Sequence, residues 1–218
     1  MSSLPVTPAS LGKLPIALTL PDELWIKILR ELSYKRLKRT ARICKKLRGF
    51  IQGTEFDRVL YRAGPRSPAY GKGHKVFLHP MIDKTDGIFT KLEDARILGD
   101  SRVYFPKDYP AILDEFATRP ASTQIDIEID EELVSQPRPL IKSTGITVHD
   151  FLQHLGEFWS TPAPTRAARY GMEEYGIKNA KDVKYMHILG AHNAWTDWYG
   201  GVAQGGNRTK VRAGGFDS

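Results

Sequence analysis

An α+β protein is expected from this chain: a small N-terminal helical unit followed by a separate mixed α+β domain. Three observations predict it. Apolar residues between Leu20 and Ile51 recur at helical spacing. Ile125, Ile127 and Ile129 alternate with Asp126, Glu128 and Asp130, the period of a strand with one buried face. Thr147, with Asp150 three residues later, opens a stretch whose Val148, Phe151, Leu152, Leu155, Phe158 and Trp159 line one side of a helix.

Residues 1–17 are rich in Ser, Thr and Pro and read as a flexible arm. Pro21 suits the first position of a helix, where its missing N–H would have no partner, and Asp22 and Glu23 place negative charge at the positive end of the helix dipole. Leu24, Ile28, Leu29 and Leu32 then form an apolar stripe, widened by Trp25, with Lys27, Arg30 and Glu31 off it. Leu20 lies near the capping position and supplies no oxygen to the free N–H groups, so its side chain is available for another purpose. Leu37 begins a second short register. Ala41, Cys44, Leu47 and Ile51, with Ile43 and Phe50 beside them, outline a third helix that Gly49 and Gly53 loosen. A unit of roughly 40 residues seldom buries enough apolar surface to offset its chain entropy without a staple, a metal or a partner. Cys44 is the only cysteine, so no intramolecular disulfide can form and a reducing compartment is expected. A partner surface is the remaining option.

Leu20-Pro21-Asp22-Glu23-Leu24, the aliphatic run after it, and Ile43-Cys44-Lys45 together resemble an F-box over residues 18–62. The resemblance implies a unit that interlocks with the Skp-type adaptor of SCF ubiquitin ligases and, through it, with cullin. It places Leu20, Pro21, Leu24, Ile28, Leu29 and Ile43 at or next to that interface. Lys45-Lys46-Leu47 departs locally from the pattern, because many members carry Trp or Phe there. Periodicity alone would describe an ordinary helical core. Cys44 itself reads as a small buried hydrophobe rather than a nucleophile.

The net charge is +7, and its excess is all N-terminal: residues 1–72 carry 15 Lys or Arg against 5 Asp or Glu, leaving 17 against 20 for the rest. Within residues 27–48 ten basic residues face one acidic residue, Glu31. Such a footprint steers a protein to an acidic partner or to nucleic acid. The resemblance accounts for the first, since Skp-type adaptors are acidic. For the second, the third helix offers mainly Lys and Arg, which make phosphate contacts that carry little sequence information. A basic nucleic-acid-associated helical protein with an α+β partner domain is therefore the alternative reading, and a solvated basic face without a partner is the plainest one.

Thr54, with Asp57 three residues on, predicts a short helix with Phe56, Val59 and Leu60 on its apolar side, extending the first unit. Gly64-Pro65-Arg66-Ser67-Pro68 and Gly71-Lys72-Gly73 break every regular pattern and mark a linker over residues 63–75. The second domain is expected over residues 76–212, with a tail at 213–218. Its strands are Val76-Phe77-Leu78, Val103-Tyr104-Phe105 and the run through Ile129. Besides the helix after Thr147, stopped by Thr161-Pro162-Ala163-Pro164, helices are expected at about Thr165 to Tyr175 and Lys181 to Leu189. Gly205-Gly206 precedes a closing strand at Arg208 to Arg212. No internal repeat suggests a propeller or solenoid. Leu78-His79-Pro80, the run Gly145 to Leu152, and Ile188-Leu189-Gly190 with Trp195 resemble a domain of unknown function common in basidiomycete fungi, covering about residues 76–212. That resemblance transfers no activity.

Catalytic patterns are poor. His149 and His154, like His187 and His192, are five apart, which turns them away from the common face a helical metal pair requires. There is no Gly-x-Ser-x-Gly elbow and no phosphate-binding Gly-rich loop. Glu131-Glu132 and Glu173-Glu174 read as solvated faces, and Asn207-Arg208-Thr209 as a sequon unused without a secretory route. No metal or cofactor is expected. Trp195, Trp198 and Tyr199, three and four apart, would share a helical face and are the candidate client anchor, with core packing as the competing explanation. No apolar run is long enough to span a membrane and Met1 to Thr19 lacks the form of a secretory signal, so a cytoplasmic or nuclear location is expected. The sequence thus predicts a non-catalytic substrate receptor whose helical unit binds the adaptor and whose second domain holds an unknown client.

Overall fold

A computed structural model describes residues 20–65, 70–86, 88–98, 103–129, 136–188 and 194–217. The expected arm at 1–17 lies outside these residues. The chain forms two compact units that divide between Phe56 and Asp57, and the whole is mixed α+β.

The first unit is built from α1 (Asp22–Arg30), α2 (Tyr34–Thr40) and α3 (Lys45–Ile51), closed by a 3-10 turn at Thr54–Phe56. Pro21 is the capping residue of α1 rather than its first helical residue, and its carbonyl accepts from the Leu24 and Trp25 N–H groups. Leu29, Leu37, Leu47, Ile51 and Phe56 are the buried apolar side chains, at least one from each helix. The third helix begins later than its apolar spacing predicts. Ala41 to Ile43 form a turn, and Cys44, in extended conformation, caps α3 through a carbonyl that accepts from Arg48 N–H. The helix expected from Thr54 onward shrinks to one 3-10 turn.

The second unit contains β1 (Lys75–Leu78), α4 (Pro80–Asp83), β2 (Thr85–Asp86), β3 (Arg96–Leu98), β4 (Val103–Tyr104), α5 (Pro110–Leu113), β5 (Thr118–Arg119), β6 (Gln124–Ile129), β7 (Leu140–Ile141), α6 (Val148–Ser160), α7 (Thr165–Tyr175), α8 (Tyr185–Ile188), β8 (Ala194–Gly205) and β9 (Arg208–Asp217). Residues 57–61 join this unit instead of extending the first. The Tyr61 hydroxyl donates to the Leu78 carbonyl at 2.7 Å, tying the segment to the end of β1.

Six strands form one sheet in the order β5-β1-β8-β9-β6-β7, antiparallel except for the parallel β6–β9 pair, while β2, β3 and β4 form a second, small sheet. The expected alternation in β6 holds: Ile125, Ile127 and Ile129 are buried. Its acidic outer face is met by basic residues of β9, where Arg208 pairs with Asp126 and Lys210 with Glu128 at 3.0 Å.

The capping box predicted at Thr147 is present. Thr147 Oγ1 accepts from Asp150 N–H at 3.2 Å, and Asp150 Oδ2 accepts from Thr147 N–H at 2.9 Å. All six apolar residues expected on that face of α6 are buried, and Gly156 with them. Burial alone would raise the Asp150 carboxyl, but hydrogen bonds from Lys142 and from the Thr147 amide and hydroxyl, together with the Lys142 charge, hold it below the ordinary carboxylate value. A carboxyl lowered in the folded state adds stability that is full above its unfolded value and is lost as pH falls through the folded one. Urea midpoints measured from neutral pH into the acid range below the ordinary aspartate value are therefore expected to fall less for Asp150→Asn than for wild type. Parallel acid limbs in the two proteins would show that this carboxyl is not held down.

Three expectations are corrected. Lys181 to Leu189 is not one helix: a 3-10 turn at Ala180–Asp182 and the short α8 are separated by an extended Val183, whose carbonyl accepts from Ala163 N–H, and Leu189 lies outside the described residues. Trp195, Trp198 and Tyr199 lie on β8, not on a helix. The closing strand β9 runs to Asp217, so most of the expected tail is sheet. β8 and β9 meet in a turn where Gly205 and Gly206 have φ of 92° and 62°, the left-handed region open to glycine.

Candidate functional site

The residues that the sequence assigns to an adaptor contact separate into two groups. Leu24 and Ile28, one helical turn apart on α1, are 43% and 46% exposed, and Ile43, in the turn before α3, is 72% exposed. Pro21 is also exposed and Leu20 half-buried. Leu29, by contrast, is 1% exposed and belongs to the interior of the unit, where it supports the surface from behind. An ion pair at 2.9 Å between Lys46 and Asp22 draws the start of α3, just after Ile43, to the start of α1, where Pro21 and Leu24 lie. Three large aliphatic side chains left in water by so small a unit form a surface that a partner can bury.

The same unit exposes many basic residues. Lys35, Arg36, Arg39, Arg42, Lys45, Lys46 and Arg48 are exposed on α2, α3 and the turn between them. Arg48 Nε donates to the Ala41 carbonyl at 3.2 Å and fixes that turn. Cys44 is only partly buried.

Residues 18–58 match the F-box domain. This is the module by which receptor subunits bind a Skp-type adaptor, and through it cullin, in SCF ubiquitin ligases in general. The match ends at residue 58, close to the division between the two compact units. No curated protein and no solved structure matches the chain.

In the second unit the proposed aromatic anchor does not share one face. Successive strand residues point to opposite sides of a sheet. Trp198, 6% exposed, accordingly faces the interior and meets Phe151 of α6 edge-on at 5.4 Å between centroids, whereas Tyr199, 55% exposed, faces out. Backbone pairing sets Trp195 opposite Phe216, and the side chain of Trp195 falls outside what the structure describes. Trp198 is therefore a packing residue, and Tyr199 alone of the described pair is open to a partner.

Sequence reasoning passed over two groupings. His79, fully buried, accepts at Nδ1 from the Met81 N–H at 3.1 Å and so caps α4; with that nitrogen accepting, Nε2 carries the proton toward Glu115 Oε2 at 3.1 Å. The pair locks β1 and α4 to the segment before β5. Beside it, burial pushes the Tyr61 hydroxyl up to about 12, with Arg119 opposing and Asp83 assisting. The second grouping is on the outer face of the sheet: Phe77, 42% exposed, lies between the Lys75 ammonium at 5.0 Å and the Arg119 guanidinium at 4.9 Å from its ring centre. The alternation in β1 was a usable signal for Phe77. Nothing local in the sequence marks Arg119 as its neighbour.

Among the described residues no cluster of three or more His, Cys, Asp or Glu is placed to hold a metal ion, and no helix is long and apolar enough to cross a membrane. Glu173 pairs with Arg169 at 3.1 Å on the exposed side of α7. His154 Nε2 lies 2.8 Å from the Arg138 carbonyl, and His187 Nδ1 accepts from Lys184 N–H at 3.0 Å. Burial, aided by the Lys184 charge, lowers the His187 imidazole below its ordinary value. Glu131, Glu132 and His192 lie outside the described residues.

Proposed function

We propose that this chain is a non-catalytic substrate receptor of an SCF-type ubiquitin ligase. Its first unit docks on a Skp-type adaptor through Leu20, Pro21, Leu24, Ile28 and Ile43, and its second unit folds separately and holds a client protein. The observation that carries this reading is the exposed Leu24, Ile28 and Ile43 surface inside the segment that matches the F-box domain. The transfer of ubiquitin belongs to other subunits, and the reading requires no cofactor. A cytoplasmic or nuclear location fits it. The kinship of residues 76–212 with a fungal module rests on the three short motifs alone.

Affinity capture of partners with the chain, with and without residues 18–50, tests the assignment. Adaptor and cullin are expected to disappear on deletion while client proteins remain. Cullin retained by the deleted chain would refute the docking assignment.

The exposed basic residues of α2 and α3 keep one competing reading open, that of a nucleic-acid-associated protein, and salt separates the two. Against an acidic adaptor, association is expected to slow as salt screens the attraction beyond about 8 Å near physiological strength, while dissociation from a largely apolar contact changes little. Duplex DNA held by several phosphate contacts would instead lose on the order of 10³-fold in affinity over a modest salt increase. Surface-bound kinetics across a salt series, with adaptor and with DNA, decide between them.

A further inference from the structure

We propose that the β5, β1 and β8 half of the six-stranded sheet is a docking surface for an acidic protein segment, one whose carboxylates flank an apolar side chain. The inference rests on the receptor reading of the second unit and specifies the client chemistry.

The register places the participating side chains on one face. Phe77 is opposite Arg119, and Lys75 is opposite Val202, so all four point to the same outer side of the sheet. Tyr199 joins them, its ring lying over Gly214, where a Cβ would collide with it. Phe77, Val202 and Tyr199 are 42%, 45% and 55% exposed, apolar side chains on the neighbouring strands β1 and β8 that water alone covers.

Charge identifies the occupant. On the β9 and β6 half of the same face, two cations are matched by carboxylates, Arg208 by Asp126 and Lys210 by Glu128. On the β5 and β1 half, the contacts of Lys75 and Arg119 are with aromatic rings, and neither forms an ion pair with a carboxylate among the described residues. Arg58, exposed, lines a shallow hollow beside Arg119 and adds a third cation. An apolar patch edged by cations that pair with no carboxylate among the described residues complements a segment carrying Asp or Glu on either side of a Leu or Phe. A second copy of this chain, docked face to face about a two-fold axis, would set these same cations against one another. Nucleic acid would require many more phosphate contacts than three cations supply.

Arrays of short synthetic peptides carrying Asp or Glu around a central Leu or Phe, with matched arrays bearing Asn or Gln, provide the probe for the purified full chain. Retention is expected on the acidic arrays and not on the neutral ones. Lys75→Glu with Arg119→Glu is expected to weaken it at least about tenfold. Lys181→Glu, a charge reversal in the turn beside α7, is expected to leave it unchanged. If the double reversal melts early, Lys75→Gln with Arg119→Gln keeps the test open and is expected to weaken binding in the same direction. No retention on acidic peptides, equal retention on neutral ones, or indifference to both double variants would overturn the proposal. Adaptor capture by the same proteins separates the two failures: loss of peptides with adaptor retained sinks only this surface, and acidic peptides held by a chain that captures no adaptor sinks the receptor reading.

Discussion

Trp198→Ala is expected to cost on the order of 3 to 5 kcal/mol, because it removes a buried indole that β8 presses against Phe151 and leaves a cavity that the surrounding sheet and helix cannot fully close. Against a typical domain stability of about 5 to 15 kcal/mol, that is a large share. In a unit of this size the melting temperature should fall by roughly 6 to 20 °C. Tyr199→Ala, one residue along and facing water, is expected to change stability by no more than about 0.5 kcal/mol. Thermal melts of the two variants side by side test the alternation directly. Similar melting temperatures for both would mean that Trp198 is not part of the interior.

Ile28→Asp combined with Ile43→Asp is expected to abolish adaptor capture while leaving the fold intact. Both side chains are well exposed, so the folded unit alone loses little by the change. Anchors at an interface centre cost about 2 kcal/mol or more each when removed, and a carboxylate pressed against an apolar partner surface adds its own desolvation penalty. Two such losses amount to roughly a thousandfold in affinity. Leu29→Asp makes the contrasting control: buried within the unit, it should unfold the helices rather than strip a contact. Adaptor binding that survives Ile28→Asp with Ile43→Asp would move the interface elsewhere on the chain.

What was legible in the sequence were features whose cause is local. The Thr147 and Asp150 capping box and the apolar stripe behind it predicted α6 with its start and its buried face, because both the cap and the stripe depend on residues within one or two turns. The helix expected at about Thr165 to Tyr175 is α7, which Gly176 closes in the left-handed conformation. The Ile125, Ile127, Ile129 alternation predicted the buried face of β6. The pattern from Leu20 to Lys45 was enough to mark the F-box segment, since that match depends on order and spacing along the chain.

Trp195 to Tyr199 show where local reasoning ended. Aromatics three and four apart fit a helix face and fit a strand equally, and the choice was made by hydrogen bonds to β9, reached through the Gly205-Gly206 turn, and to β1, more than a hundred residues earlier. Residues 57–61 went to the second unit through Tyr61, whose hydroxyl donates to the Leu78 carbonyl and whose own carbonyl accepts from Phe116 N–H. Of the six positions named for the adaptor, spacing put Ile28 and Leu29 side by side on one stripe, and only the packing of three helices sent Leu29 inward and left Ile28 in water. The sequence by itself determined the two classes of structure, the best helix, the best strand and the adaptor module. The tertiary structure alone decided strand pairing, which apolar residues stay exposed, and which cations are paired with carboxylates, because each of these depends on neighbours that are distant along the chain.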